Sequence, residues 1–274
     1  MPHNNQRKIA VINDFCGFGR CSLTVSIPII SAMKLQCCPL PTAIFSNHTG
    51  YDSFFYSDYT DHIRAYIQEW SKLHLQFDGI LTGFLGSPQQ IDLVKLFFDT
   101  FKSEKNIVVI DPVMGDHGAL YPTYSPVLAE GMRSLVAYAD ILTPNLTEAC
   151  FLAGVDYRRD MDSGQLYELC RKLSRLGPQR IVISGIERGD DLENYIYEAG
   201  KEATVIRVHK VGSCRAGTGD VFSSIIAADT VKGKSLIDSV QHASSFIAKS
   251  LRRTIELNIP HTDGICFEEF LCEI

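Results

Sequence analysis

The stretch RAGTGDVFSSIIAA, residues 215–228, sets Asp220 at the head of an apolar run, directly after Gly217 and Gly219. Glycines there let the backbone turn with positive φ and present consecutive N–H groups, and a helix starting near Asp220 directs its positive end at the same spot. Gly217, Thr218 and Gly219 thereby form a candidate anion hole. A carboxylate beside such a hole repels phosphate, yet it is well placed to accept the proton of an attacking hydroxyl, so Asp220 is the candidate general base. Helix capping is the competing reading, because Asp ahead of an apolar run is a common N-cap.

Other polar residues recur where apolar Val/Ile-rich runs end. Asp14 follows KIAVIN, Asn47–Thr49 follow PTAIF, Asp111 and Asp116 follow NIVVI, Thr143, Asn145 and Glu148 follow ADIL, and Ser184 follows RIVI. If those runs are strands of one parallel sheet, all these side chains face one crevice beyond the strand ends, where ligands of such sheets collect. Asp111, Asp116 and Glu148 supply hard oxygen donors, and Mg²⁺ prefers a few carboxylates plus substrate phosphates to an all-protein cage. Taken singly, each is also an ordinary turn or cap residue.

The elements that must position these groups alternate in period. KIAVIND, a helix near 23–35, PTAIFSN, a helix near 58–70, DGILTG and a helix near 89–102 give βαβα order. The order continues through NIVVIDP, a helix near 126–137, ADILTPN, helices near 146–153 and 165–176, and RIVISG. NYIYEAG and EATVIRVHK alternate in period two around a short turn, which predicts an antiparallel hairpin at one edge. Helices near 219–231 and 236–251 close the chain. The expected fold class is α/β: a mostly parallel central sheet with helices on both faces and an edge hairpin.

Composition narrows the function. With 274 residues, no low-complexity linker and no internal repeat, one domain over 1–274 is expected. Hydrophobic residues make up 45% and charged residues 21%, and no apolar run approaches the roughly 20 residues a membrane span needs. The N-terminus MPHNNQRKIAVIND does not resemble a secretory signal, so the expected location is the cytoplasm. A net charge of −6, with Lys/Arg never clustered beyond a pair, argues against a nucleic-acid partner. Nine cysteines without CxxC spacing read as buried free thiols, Cys37, Cys38 and Cys214 included. GDHGALYPTYS at 115–125 has the profile of either a mobile active-site flap or inert surface.

The segments FSNHTGY (45–51), DGILTGF (78–84), DPVMGD (111–116), TPNLTEA (143–149) and GTGD (217–220) together resemble the pyridoxal kinases of the ribokinase superfamily, over nearly the whole chain. GTGD and the two acidic segments speak for the superfamily; FSNHT and LTGF speak for vitamin B6 kinases. The resemblance implies transfer of the ATP γ-phosphoryl group to the 5′-hydroxymethyl of pyridoxal, pyridoxamine or pyridoxine, with Mg²⁺, and leaves a monovalent cation requirement open. It implies Asp220 as base, Gly217–Gly219 as anion hole, and Asp111, Asp116, Thr143 and Glu148 as the metal and phosphate neighbourhood. Asn145 falls on the phosphate side, Ser184 and Thr218 at the nucleotide phosphates, and Asp14, Thr49 and Phe84 around the pyridine ring, with His48 nearby. A homodimer is implied as well. Asp14 stands where many relatives carry serine, and Phe84 where several carry tyrosine, so preference among the vitamers is open.

Three rival readings stand beside this one. A hydroxymethylpyrimidine kinase acts on another small aromatic ring bearing a hydroxymethyl group. A catalytically silent nucleotide-binding regulator would keep the fold, although retention of Asp220 with GTG argues against it. GFGRCS at 17–22 imitates a dinucleotide-binding GxGxxG, but PTAIFSNHT ends without the acidic residue expected about 20 positions on.

Overall fold

The alternation of KIAVINDFC decides the layering. Along β1 (Lys8–Cys16), Ile9 and Val11 join one apolar cluster while Ala10 and Ile12 join the other, as a two-residue period requires of a strand buried on both faces. The computed structural model of the chain describes residues 5–121 and 124–274. Its central sheet has nine strands in the order β11-β10-β9-β8-β5-β4-β1-β2-β3. These are β1, β2 (Gln36–Phe45), β3 (Tyr56–Asp58), β4 (Gly79–Thr82), β5 (Ile107–Ile110), β8 (Ile141–Leu142), β9 (Arg180–Arg188), β10 (Asp191–Glu198) and β11 (Thr204–His209). β6 (Gly115–Asp116) and β7 (Ala119–Leu120) form a separate small hairpin. The six central strands run parallel, whereas β10, β11 and β3 are antiparallel to their neighbours.

Helices α2 (Thr60–Lys72), α3 (Pro88–Phe101), α4 (Pro126–Leu135), α5 (Leu146–Ala153) and α6 (Ser163–Ser174) cover one face. α1 (Leu23–Ala32), α7 (Thr218–Val231) and α8 (Leu236–Glu256) cover the other. The mostly parallel sheet flanked by helices, with its edge hairpin, matches the fold expected from the sequence. From β1 the chain crosses to β2 on one side and then returns to β4 on the other, so the strand order reverses between β1 and β4. Such a reversal opens a crevice at the carboxyl ends of the strands.

Several boundaries differ from expectation for local reasons. β2 starts at Gln36 and runs through Pro39 and Pro41, an unusual place for proline. Its outer side pairs with β3 only from Ala43 onward, so both prolines fall where β2 is effectively an edge. α2 begins at Thr60 because Asp58 belongs to β3 and accepts the Thr60 N–H through Oδ1 at 2.6 Å. α6 begins at Ser163, where Asp162 and Gln165 form a reciprocal capping box. α8 extends to Glu256 although LRRTIE looks polar. Arg253 on that extra turn pairs with Glu269, and Thr254 accepts no solvent but bonds the Cys266 N–H at 2.8 Å, so the C-terminal segment covers it. Among the described residues, no helix is long and apolar enough to cross a membrane.

Candidate active site

A cavity of about 720 Å³ opens at the carboxyl ends of the central strands. Every residue singled out above as base, anion hole, ring contact, nucleotide contact or metal ligand lines it, from Asp14 and Thr49 through Asp111 and Glu148 to Asp220. Asn47 does not. Its amide donates to the Ser53 carbonyl at 2.7 Å and its oxygen accepts the Ser46 hydroxyl, which commits it to the loop.

α7 enters the cavity with Gly217 as its N-cap at φ 85°, without a side-chain cap. A Cβ on Gly217 would stand 2.3 Å from the Arg20 carbonyl oxygen, so both the dihedral and the space demand glycine. Gly219 differs from expectation: it is already helical, and positive φ is not its purpose. A Cβ there would meet only Asp111 Oδ2, at 4.0 Å, which means that a side chain would project into the open space between the helix start and Asp111. Asp220 sits in the first turn, two residues inside the helix start, and therefore does not cap it. Oδ1 of Asp220 accepts Asn13 Nδ2–H at 3.1 Å. Burial raises the Asp220 carboxyl above the ordinary aspartate range, partly offset by the Ser22 backbone N–H and the Asn13 amide.

Asp14 is 6% exposed and accepts the Ser22 hydroxyl at 2.6 Å. Burial, with the Asp220 charge in support, raises its carboxyl to about 7. Ser22 precedes α1 but caps nothing; it adopts φ 58°, a costly conformation for a residue with a Cβ, and its hydroxyl is committed to Asp14. The nearby wall is aromatic. Phe84 lies edge-on to Phe45 at 6.2 Å between centroids, and Phe45 reaches Phe54 at 5.9 Å. Thr49 lines the same end, whereas His48 is tied down, with Nδ1 accepting the Gly50 N–H at 3.0 Å and Nε2 bonded to the Thr262 carbonyl at 2.6 Å.

At the opposite end, Asp111 is 9% exposed and Glu148 4%. Burial, then the Glu148 and Asp220 charges, push Asp111 well above its usual range. Burial also raises Glu148, to about 8. Asn145 and Glu148 form the capping box of α5, with reciprocal 2.9 Å bonds, and Glu148 Oε1 additionally accepts the Met114 N–H at 3.0 Å. Asn145 Nδ2 donates to the Gly115 carbonyl at 2.8 Å, so both polar ends of this amide have partners within the protein. Thr143 and Ser184 bond backbone carbonyls weakly, at 3.4 and 3.5 Å, and Thr218 donates to the Arg215 carbonyl at 3.0 Å. Among the described residues, no three His, Cys, Asp or Glu side chains gather as a ready-made metal site. The carboxylates therefore do not converge as a three-ligand cluster, and Asp111 is the one left facing the glycine end of α7.

Pro122 and Thr123 of the 115–125 segment lie outside the described residues. Around them, the β6–β7 hairpin is pinned by the Gly118 N–H to Thr147 Oγ1 at 2.9 Å, and Asp116, His117 and Tyr121 line the cavity. Among the neighbours of the site that escaped the sequence reading are Asn13, Ser22 and Thr147. Each is a small polar residue whose importance lies in a tertiary partner, which spacing along the chain does not reveal.

Residues 27–264 match the family model described as phosphomethylpyrimidine kinase. The chain belongs to that family. It is 32% identical to a pyridoxine kinase of Bacillus subtilis over 210 residues, covering 73% of this chain and 72% of that protein. A protein of Bacteroides thetaiotaomicron provisionally named phosphomethylpyrimidine kinase superposes with TM-score 0.97 at 39% identity, covering 100% of this chain and 95% of that one. A second crystal form of the same protein, containing pyridoxal, gives TM-score 0.95 over 98% and 96%. A pyridoxal kinase of Lactobacillus plantarum follows at TM-score 0.90 and 25% identity, covering 97% and 95%. These relatives include kinases of vitamin B6, and this enzyme stands with the pyridoxal kinases of the ribokinase superfamily. The dinucleotide-binding reading of GFGRCS falls with that membership; the loop is packed instead against the C-terminal segment through the Arg20 N–H to the Asp263 carbonyl at 3.3 Å.

Proposed function

We propose that the protein transfers the γ-phosphoryl group of ATP to the 5′-hydroxymethyl group of pyridoxal, pyridoxamine or pyridoxine, acting as one kinase domain over 1–274. The observation that carries this reading is the shared cavity: the Asp220 carboxylate and the glycine N-terminus of α7 lie in one space with the aromatic wall of Phe84, Phe45 and Phe54. The pyridoxal-containing form of the Bacteroides thetaiotaomicron neighbour supports it.

Phosphoryl transfer asks the protein to align donor and acceptor and to neutralise charge on the phosphate oxygens. As the phosphoryl group passes to the vitamin hydroxyl, the α7 terminus offsets its negative charge through the Gly217 and Gly219 N–H groups and the Thr218 N–H, which also bonds the Arg215 carbonyl at 3.4 Å. Asp220 takes the hydroxyl proton; its raised affinity for protons suits a group that must accept one. Phe84 stacks on the ring while Asp14, Thr49 and the Ser22 hydroxyl meet its polar edge. Ser184, Thr218 and Asn145 flank the nucleotide phosphates, Asn145 chiefly by holding the β6–β7 loop and α5 in register. Asp111 suits a divalent cation, since it is a hard oxygen donor crowded by like charges; with Asp116 and Thr143 acting through water and Glu148 adding charge from behind, Asp111 would hold Mg²⁺. The metal, when bound, offsets charge on the phosphate oxygens. The β6–β7 flap is assigned to excluding water once both substrates are in place.

A homodimer in the cytoplasm completes the reading. Phe54 and Phe55, 44% and 66% exposed, offer apolar surface to a second copy, and the open edge of β3 offers its backbone N–H and C=O groups. The match to the phosphomethylpyrimidine kinase family supports the alternative reading, a hydroxymethylpyrimidine kinase. Purified protein with Mg-ATP and each of pyridoxal, pyridoxamine, pyridoxine and hydroxymethylpyrimidine decides between them. The expected result is a kcat/KM for at least one B6 vitamer on the order of tenfold or more above the pyrimidine; the reverse order assigns the enzyme to the pyrimidine.

A further inference from the structure

Asn13 is 4% exposed at the carboxyl end of β1, where the strand order reverses, and the phosphoryl-transfer reading gives it no task. Its side-chain oxygen accepts two backbone N–H groups, from Asp14 at 3.0 Å and from Phe84 at 2.8 Å. Those two donors fix the amide's orientation, since a flipped amide would turn its own N–H groups against them. Nδ2 is thereby forced toward α7, where it donates to Asp220 Oδ1 at 3.1 Å. The space for this arrangement is provided across the sheet: a Cβ on Gly83 would stand 2.5 Å from both Asn13 Cγ and Nδ2.

The groups that face Asp220 give it reason to swing away from this position. Asp14 on β1 and Asp111 beyond β5 are like-charged neighbours whenever ionised, and the Asp220 charge helps to raise the carboxyl of each. Two fixed donors, the Ser22 backbone N–H and the Asn13 amide, oppose that repulsion, and of the two the amide also binds the Phe84 backbone.

We infer that Asn13 is a positioning residue: one carboxamide holds the Asp220 carboxylate in register with the Phe84 backbone, so that base and ring wall are set by the same group. The inference rests on Asp220 being the base. Through it the end of β1, the segment after β4 and the first turn of α7 share a common reference point, which keeps the distance from ring to base constant while substrates exchange.

N13D is the discriminating variant. Its side chain still offers an oxygen to the Asp14 and Phe84 N–H groups, but it presents an acceptor where Asp220 needs a donor. The expected result is a kcat reduced on the order of a hundredfold, with KM for pyridoxal and for ATP within about threefold of the parent. Gly83→Ala displaces the same amide without adding charge, and the same split between kcat and KM is expected if the extra carboxylate of N13D prevents folding. A folded N13D or Gly83→Ala protein with kcat within about twofold of the parent overturns the inference, as does a loss confined to KM for pyridoxal, which would leave Asn13 only supporting Phe84. Asp220→Asn is measured alongside. If it is inactive while N13D is fully active, only the role of Asn13 is lost; if it retains turnover, the assignment of the base fails first.

Discussion

Asp220→Asn is expected to lower kcat by about a thousandfold while the affinity for ADP, measured by calorimetry, stays within a few-fold of the parent. The substitution keeps the size of the side chain and can keep the bond from Asn13 to its oxygen, so α7 and its glycine N-terminus remain in place. What is removed is the capacity to take a proton, and general-base contributions run to roughly 10²–10⁴-fold. The phosphate cradle is built from main-chain N–H groups that the substitution does not touch. A parallel loss of nucleotide binding would mean that Asp220 serves chiefly to hold the helix start, and a preserved kcat would move the base elsewhere in the cavity.

The second large effect concerns stability and has the opposite sign from an ordinary carboxylate. Burial raises Asp14 from 3.8 to about 7, so the folded protein holds a proton that the unfolded chain has released. Stability therefore falls as pH rises from about 4 to about 7, because more protons are bound in the folded state across that window. Asp14→Asn removes the ionisation. The variant and parent are expected to unfold at similar temperatures near pH 4, whereas near pH 8 the ligand-free variant gains up to about 4 kcal/mol, an upper bound from the raised proton affinity. Chemical denaturation at the two pH values measures it. A gain that is equal at both would trace the effect to packing instead of charge. Ionised, Asp14 faces Asp220 and weighs on the empty enzyme, the usual consequence of a site arranged for a ligand.

These expectations depend on features of unequal legibility. The sheet and its helices follow from periodicity, which is a local property: KIAVIN, DGILTG and NIVVI announce buried strands, and α5 is bounded by Asn145 and Gly154 as its cap residues dictate. The tips of those strands locate the cavity by topology alone, which is why residues as distant as Asp14 and Asp220 could be placed together. Beyond that, the chain order is silent. Nothing in GTGD says that Gly217 must avoid the Arg20 carbonyl while Gly219 leaves space before Asp111. Glu148, a metal-side candidate by type and position, also accepts two backbone N–H groups, because a glutamate at the third position of a helix is half of a capping box as well. Asn13 and Ser22 were passed over for the converse reason, since asparagine or serine after a strand is commonplace until its partners across the fold are known. The three-residue β3 and the two-residue strands β6 and β7 are too short to show a period.

The central claim is that the hydroxyl receiving the phosphoryl group lies against Asp220. A crystal structure of the enzyme with ADP, Mg²⁺ and pyridoxal measures this directly. The account predicts the pyridoxal 5′-hydroxyl oxygen within about 3.2 Å of an Asp220 carboxylate oxygen, with the ring against Phe84. A hydroxyl directed at Asp14, with Asp220 beyond hydrogen-bond reach, would contradict it.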